Sequence, residues 1–300
     1  MPAALVTGTS TGIGAACVAR LTSAGRDVYA GVRRADDGER LRRTYGDHVV
    51  PVTLEVTDPT AVRRALDEIT AALGPRGLQG LVNNAGIGIG GPIEYVSDAD
   101  WRAVFDVNLF AVVHLTREAM PLLRAGLGRI VHIGSMGGRV AAPGVGPYSA
   151  SKHALEALAE SMRHELALAK DPITVSLVEP GEIRTAIWDK SERQVAEIAA
   201  GLDAAGLRRY GYLLDLGRGF VEDGRTHGAD PSTVANAVAH ALTARRPKAR
   251  YLVGSDARLS GHVVSKLPDR LRDPLVRARA RMMIRAGKKL GAADRPALPH

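Results

Sequence analysis

Tyr148 and Lys152 stand four residues apart, so a helix through this segment places both side chains on one face. A free tyrosine phenol has a pKa of about 10, which is too high for proton exchange at neutral pH. A nearby ammonium group favours the phenolate and lowers that pKa. The pair therefore predicts a phenol that exchanges protons, activated by Lys152. Ser135, thirteen residues before Tyr148, can donate a hydrogen bond to a substrate oxygen on which charge develops.

A glycine-rich segment directly follows the first apolar run of the chain. Residues 7–14 read Thr-Gly-Thr-Ser-Thr-Gly-Ile-Gly. Glycine allows a tight turn and a close approach to a pyrophosphate, which a helix N-terminus then stabilises. Between a strand and a helix, this pattern favours dinucleotide binding over a merely flexible turn. The residues expected to bind are Gly8, Ser10, Thr11, Gly12, Ile13 and Gly14.

Short apolar runs alternate with longer amphipathic stretches along the chain. The predicted strands are Ala3–Thr7, Val28–Val32, Val49–Leu54, Leu78–Asn83, Arg129–Ser135, Ile173–Val178 and Tyr251–Val253. The predicted helices are Ile13–Ala24, Pro59–Leu73, about Trp101–Leu123, about Tyr148–Lys170 and Pro231–Ala244. Continuous Val-rich strands joined by helices indicate an α/β fold, with a doubly wound parallel sheet of the Rossmann type in a single domain.

Composition and charge narrow the function classes. The chain has 300 residues, 45% hydrophobic, with a net charge of +8. Residues 245–289 hold fourteen Lys or Arg and three Asp, so the rest of the chain sums to −3. Aromatic residues are 4% of the chain and do not interleave with the basic run, so no nucleic-acid partner is expected.

The cysteine and histidine content argues against a metal site and a disulfide framework. Cys17 is the single cysteine, and the nine histidines show no ligand spacing. The first residues do not have the pattern of a secretory signal, which is a basic run followed by a long apolar stretch. A cytoplasmic protein without a metal is therefore expected.

Further motifs fall in order with the glycine segment and the Tyr148–Lys152 pair. They are Asn83-Asn84-Ala85-Gly86, Asn108, Ser135, and Pro180-Gly181 followed by Ile183 and Thr185. Over about residues 3–255 the chain resembles the short-chain dehydrogenase/reductase family. Gly144, Pro147 and the long segment after Thr185 make it most similar to the 17β-hydroxysteroid and retinol dehydrogenases.

This resemblance implies an oxidoreductase that moves a hydride between a nicotinamide cofactor and an alcohol or carbonyl compound. The implied catalytic residues are Asn108, Ser135, Tyr148 and Lys152, with Asn108 holding a water that links Lys152 to solvent. Implied cofactor contacts are Asn84, Ala85, Gly86, Tyr148, Lys152, Pro180, Gly181, Ile183 and Thr185. A homodimer through the helices around Asn108 and Tyr148 is also expected. The alternative is a non-catalytic NADP(H)-binding sensor or scaffold of the same fold.

The end of the second strand predicts the choice of cofactor. An acidic side chain there would bind both ribose hydroxyls and repel a 2′-phosphate. That position is Val32, followed by Arg33 and Arg34. A guanidinium pairs well with phosphate, so these arginines favour NADP(H) as the cofactor. The alternative is that both arginines are simply solvated at the end of the strand. Glu55 and Val56 stand where the family usually has an aspartate near the adenine, and they are included among the cofactor contacts.

A long segment, residues 185–230, lies where the carboxyl edge of the sheet opens. Its apolar residues, with Trp188, Tyr210 and Tyr212 foremost, predict a helical lid over a bulky apolar ketone or alcohol of steroid, retinoid or polyketide type. Its glycines, including Gly217 and Gly219, are expected to let the lid move. A helical insertion that completes the core is the alternative.

The chain is divided into a catalytic domain, 1–255, and a basic helical extension, 256–300. Asp273-Pro274 predicts the start of a basic amphipathic helix with Val276, Ala280, Met283 and Leu290 on its apolar face. Three interpretations stay open: packing on its own domain, peripheral contact with an anionic membrane, or nucleic acid.

Overall fold

The computed structural model describes residues 1–293, so the last seven residues of the predicted extension lie outside the described residues. Seven parallel strands form one sheet in the order β3-β2-β1-β4-β5-β6-β7. They are β1 (Ala3–Val6), β2 (Asp27–Val32), β3 (Val49–Thr53), β4 (Gly80–Asn83), β5 (Arg129–Ile133), β6 (Thr174–Pro180) and β7 (Arg250–Val253). The predicted doubly wound parallel sheet is confirmed.

Helices cover both faces of the sheet. The bounds are α1 (Gly12–Thr22), α2 (Ala35–Tyr45), α3 (Pro59–Leu73), α4 (Asp98–Phe105), α5 (Ala111–Ala125), α6 (Gly146–Leu168), α7 (Ile187–Gly201), α8 (Ala204–Tyr210), α9 (Tyr212–Thr226), α10 (Pro231–Thr243), α11 (Ser255–His262) and α12 (Asp269–Ala293). Helix α2 was not among the predicted helices. The predicted helix over Trp101–Leu123 is divided into α4 and α5 by a widened turn at Asp106–Phe110.

Side chains alternate along each strand, which divides the core into two layers. In β1, Ala3 and Leu5 pack with α3, α5 and α6, whereas Ala4 and Val6 pack with α1, α2 and α10. Strands that are buried on both faces must be apolar throughout, which explains the continuous Val, Leu and Ile runs. The sheet therefore has a fixed register, and its carboxyl edge positions the loops.

The segment after β6 folds as the helices α7, α8 and α9, and α12 packs along α9. Leu216 of α9 is buried with Ala280 and Met283 of α12. The predicted start of α12 at Asp273-Pro274 is wrong. The helix begins at Asp269, because the Pro268 carbonyl accepts hydrogen bonds from the first-turn amides, and Pro274 lies inside it. The packing agrees with the interpretation in which α12 covers its own domain.

The exposed side of α12 carries two adjacent stripes of residues, one apolar and one basic. Leu271, Leu275 and Met282 share one exposed stripe. Arg277, Arg281, Arg285 and Lys288 form an exposed stripe beside it. This is the pattern that the membrane interpretation requires. None of the helices in residues 1–293 combines the length and the hydropathy of a membrane-spanning segment.

The helices α9 and α12 approach so closely that only glycine fits at their crossing. A Cβ at Gly287 would lie 1.8 Å from the Asp215 carbonyl oxygen, and one at Gly219 would lie 2.2 Å from the Met283 carbonyl oxygen. Gly217 is also closely packed, but against the Val195 side chain of α7. Gly217 and Gly219 are therefore sites of close packing, and the predicted movement of the lid stays a prediction.

Gly287→Ala should separate α12 from α9, because the added methyl group has no space. We expect a loss of about 1–3 kcal/mol in the free energy of unfolding. Trypsin should also cleave faster at Arg281 and Arg285, as read by mass spectrometry. Gly201→Ala is the matched control, since a Cβ there meets nothing within 4 Å. Equal cleavage rates in the two variants would contradict the packing argument.

Candidate active site

The candidate site lies at the carboxyl edge of the sheet, where four central strands end. The chain leaves β1 at Thr7, β4 at Asn84, β5 at Gly134 and β6 at Gly181. The connections from β1 and β4 run to opposite faces of the sheet, which makes the crevice between these strands the expected binding position in a doubly wound fold.

The glycine segment forms a cradle that side chains would fill. Gly8 and Gly12 have φ of +65° and +59°, a conformation that favours glycine. A Cβ at Gly14 would lie 2.2 Å from the Gly8 carbonyl oxygen. Helix α1 begins at Gly12 with no acidic residue in its first turn, and no side chain caps it at Thr11. These features fit the phosphates of a dinucleotide, with Ser10 and Ile13 on the same turn.

The segment after β4 supports this cradle through hydrogen bonds. The buried Thr7 hydroxyl accepts from the amides of Asn84 and Ala85, at 3.0 and 2.9 Å. The Asn84 side-chain amide donates to the carbonyls of Thr7 and Gly8. A Cβ at Gly12 would lie 3.3 Å from the Thr185 side chain, so the loop after β6 reaches the same turn. The predicted residues of three separate segments therefore come together.

Helix α6 presents Tyr148 and Lys152 to Ser135 at the end of β5. The Lys152 ammonium lies 5.8 Å from the centre of the Tyr148 ring and donates to the Ile133 carbonyl at 2.8 Å. The Ser135 hydroxyl accepts from the Gly137 amide at 3.0 Å. The three predicted side chains therefore lie in one site.

The electrostatics of this group differ from the prediction. Burial raises the pKa of Tyr148, and a hydrogen bond with Ser135 opposes this rise. The predicted lowering by Lys152 is wrong for this structure, because desolvation of the phenol outweighs other effects. Burial also lowers the pKa of Lys152 to about 8. Both shifts have the same cause, which is the loss of water around a charged form.

Asn108 lies in the widened turn between α4 and α5 and is almost fully buried. Its carboxamide oxygen accepts from the Ile87 amide at 2.9 Å, and its amide donates to the Ile87 carbonyl and the Ser151 hydroxyl. A Cβ at Gly86 would lie 3.2 Å from the Asn108 side-chain oxygen and 3.8 Å from the Lys152 nitrogen. Asn108 thus joins the loop after β4 to α6 beside Lys152.

Two arginines directly follow β2, and a third lies in α2 beside the glycine segment. Arg33 and Arg34 are exposed directly after Val32. Arg40 of α2, which the sequence analysis did not identify, donates to the Ser10 carbonyl at 2.8 Å. Its helix was missed because Leu41 is the only large apolar side chain that α2 buries. Of the three arginines, Arg40 contacts the glycine segment directly in this structure.

Glu55 and Val56 follow β3 at the same edge. The Glu55 carboxylate accepts from the amide and the hydroxyl of Thr57 at 3.3 and 2.9 Å, while Val56 is buried. The carboxylate therefore stabilises its own turn in this structure.

The loop after β6 is fixed by β7, α9 and α12. Gly181 directly follows Pro180, the last residue of β6, and its amide donates to the Val253 carbonyl. Ile183 forms an isolated β-bridge with Ala229. Glu182 between them accepts from Arg279 of α12 at 2.7 Å. Burial, followed by hydrogen bonding with Asp223, raises the pKa of Glu182 to about 8. The contact between α12 and this loop could not be predicted from the sequence, because Arg279 and Glu182 are far apart along the chain.

The predicted lid residues have different environments. Trp188 donates from its indole nitrogen to the Ile183 carbonyl at 2.8 Å and packs against Gly224. Tyr210 bonds to Glu94 and stacks edge-on against Tyr95, while Tyr212 is 44% exposed.

Helix α7 reaches the floor of the site through a residue that the sequence analysis did not identify. The Gln194 side chain donates to the Gly88 carbonyl at 2.7 Å, and a Cβ at Gly88 would lie 3.7 Å from the Tyr148 ring. Helix α7 is thus attached beside the candidate acid.

The other candidates behave as packed side chains. Burial raises the pKa of the Cys17 thiol to about 12, so this thiol is protonated. Within residues 1–293, no cluster of three or more His, Cys, Asp or Glu could hold a metal ion.

Comparisons with known proteins agree with this geometry. The family model of short-chain dehydrogenases matches residues 2–196. An NADPH-dependent 3-dehydrocapnine reductase from Ornithobacterium rhinotracheale is 34% identical over 91% of this chain and 95% of that protein. Retinol dehydrogenase 16 from Mus musculus is 33% identical over 90% of this chain and 86% of that protein.

A solved structure shows the same architecture. A short-chain dehydrogenase/reductase from Burkholderia phymatum in complex with NAD is 26% identical, with a TM-score of 0.72, over 87% of this chain and 91% of that one. The chain belongs to the short-chain dehydrogenase/reductase family of oxidoreductases and is similar to its retinol dehydrogenases.

Proposed function

We propose that this protein transfers a hydride between NADP(H) and a bulky apolar ketone or the corresponding alcohol, with Tyr148 as the acid and base. One observation carries the proposal: Ser135, Tyr148 and Lys152 meet beside a glycine cradle at the carboxyl edge of the sheet. A non-catalytic NADP(H)-binding sensor would not need this arrangement of a phenol, a hydroxyl and an ammonium.

Tyr148 supplies the proton in this mechanism. Burial raises the pKa of Tyr148, which keeps the phenol protonated at neutral pH and suits donation to a substrate oxygen. The Ser135 hydroxyl donates to the same oxygen as charge develops there. The nicotinamide, when bound, supplies or accepts the hydride. Lys152 would hold the cofactor ribose, and Asn108 keeps the loop after β4 in place beside it.

The arginines at the end of β2 support NADP(H). Val32 stands where an acidic residue would repel a 2′-phosphate, and Arg33 and Arg34 follow it. Arg40 adds a third guanidinium near Ser10. The relative from Ornithobacterium rhinotracheale is described as NADPH-dependent, whereas the Burkholderia phymatum structure contains NAD. We therefore assign the preference to the arginines of this chain.

The helices after β6 support an apolar substrate. Three helices, α7 to α9, lie between β6 and α10, and Gln194 attaches α7 beside Tyr148. Leu213 of α9 approaches Gly144, since a Cβ there would lie 3.4 Å from the leucine. Several relatives are retinol dehydrogenases, and retinol is a long apolar alcohol. A steroid, retinoid or polyketide carbonyl compound has the same character.

Tyr148→Phe should abolish turnover and leave the NADPH dissociation constant nearly unchanged, because only the phenolic hydroxyl is lost. Lys152→Ala should reduce both turnover and cofactor affinity. Turnover is followed by NADPH absorbance, and affinity by NADPH fluorescence. More than a tenth of wild-type activity in the Phe variant would show that Tyr148 is not the acid and base.

Arg33→Ala should weaken the preference for NADP(H) over NAD(H) by about 10- to 150-fold, the value of one charge-assisted hydrogen bond. The measurement is kcat/KM with each cofactor. Arg20→Ala serves as the control, because Arg20 lies at the other end of α1 and bonds to Asn236. An unchanged ratio in Arg33→Ala contradicts this role.

Wild-type enzyme should act on a steroid-sized ketone far more efficiently than on a two- or three-carbon carbonyl compound. Leu213→Ala and Tyr212→Ala should raise KM for the large ketone and leave KM for the small one almost unchanged. Leu168→Ala, on the exposed end of α6, is the control. Equal or better wild-type efficiency on the small compound refutes the apolar substrate.

A further inference from the structure

Glu179 is a fully buried carboxylate that the mechanism above does not use. It lies in β6 directly before Pro180-Gly181 and is 0% exposed. The Arg139 guanidinium donates to both of its oxygens, from Nε to Oε2 and from Nη2 to Oε1 at 3.1 Å. A buried ion pair is weak evidence for stability, since apolar residues of similar volume are often as stable. The pair therefore calls for another explanation.

Arg139 belongs to the turn that begins at the candidate catalytic serine. The Gly138 amide donates to the Ser135 carbonyl at 2.9 Å, and the Arg139 amide donates to the Met136 carbonyl at 3.0 Å. The planar guanidinium fork fixes both distance and orientation. Through Arg139, Glu179 thus attaches the Ser135 turn to the end of β6.

Arg250 of β7 extends the same network to the helix that carries Tyr148. Its Nε lies 3.6 Å from Glu179 Oε1 and donates to Glu156 at 3.1 Å, and its Nη2 donates to Glu160 at 2.9 Å. Glu156 follows Lys152 by one turn of α6. The carboxylate of Glu179 therefore lies between the Ser135 turn, helix α6 and the loop after β6.

We propose that Glu179 is a positioning residue for the reaction, which sets the Ser135 turn relative to α6 and the loop after β6 through Arg139 and Arg250. The proposal rests on the proposed function, in which Ser135 and Tyr148 act on one substrate oxygen. A misplacement of about 1 Å between reacting groups can cost roughly 100-fold in rate. Glu179 touches neither substrate nor cofactor in this role.

Glu179→Gln tests the proposal, because it keeps the shape and one acceptor but removes the charge and the two-point pairing. We expect kcat to fall at least tenfold, with the NADPH dissociation constant changed less than threefold. Arg139→Lys should also lower kcat, because it keeps the charge but loses the fork. Glu165→Gln on α6 is the control, since Glu165 is exposed and accepts a hydrogen bond from Ser161.

The double variant Arg139→Met with Glu179→Met separates positioning from stability. It removes both charges and replaces the two side chains with apolar ones of similar volume. We therefore expect a folded protein with a thermal midpoint near that of the wild type and a low kcat. A folded double variant that regains wild-type kcat would overturn the proposal. Wild-type kcat in Glu179→Gln would overturn it as well.

Hydrogen exchange measured by mass spectrometry gives a result that does not depend on the substrate. Amides of residues 135–140 should exchange faster in Glu179→Gln than in Glu165→Gln, and unchanged exchange overturns the proposal. Failure of the proposed function gives a different result from failure of this proposal. In that case the wild-type enzyme itself shows no turnover that depends on Tyr148.

Discussion

The parallel register of the seven strands is the constraint on which the whole site depends. Because every strand points the same way, residues separated by dozens of positions leave the sheet at one edge. Asn84 and Gly181 directly follow β4 and β6, while Gly8 and Ser135 lie two residues after β1 and β5. Hydrogen bonds between these ends, such as those from the Asn84 amide to the Thr7 and Gly8 carbonyls, then fix the edge in detail.

Desolvation governs the chemistry that this edge can support. It raises the pKa of Tyr148 and lowers that of Lys152 to about 8, so both groups shift toward their neutral forms. The sequence suggested an ammonium that lowers the pKa of the phenol, but the ammonium lies over the face of the ring and donates to the Ile133 carbonyl. In the proposed role of Tyr148, the protonated phenol is the form that donates to a carbonyl oxygen.

All seven strands and the order of the site motifs could be predicted from the sequence, because buried strands and glycine turns leave local signals. Helix α2 could not, since it buries little more than Leu41 and Gly38 and is otherwise polar. The start of α12 was placed four residues late because Asp273-Pro274 has the pattern of a helix start within a helix. Arg40, Gln194 and Glu179 were missed for a different reason: their partners are distant in sequence, and pairing of this kind leaves no periodic pattern.

The packing of α12 changes how the C-terminal segment is understood in physical terms. A basic helix at the end of a chain suggests an appendage, yet Gly219 and Gly287 bring α9 and α12 into backbone contact. Arg279 crosses this contact to pair with Glu182, two residues after Pro180, and it lies 3.8 Å from Asp223 of α9. The loop after β6 is thus held from two directions. Glu179 attaches its start to the Ser135 turn, and Glu182 attaches its middle to the helix that packs on α9. Movement of α9 and α12 away from the loop after β6 would therefore have to break the Arg279–Glu182 ion pair or move the loop with it.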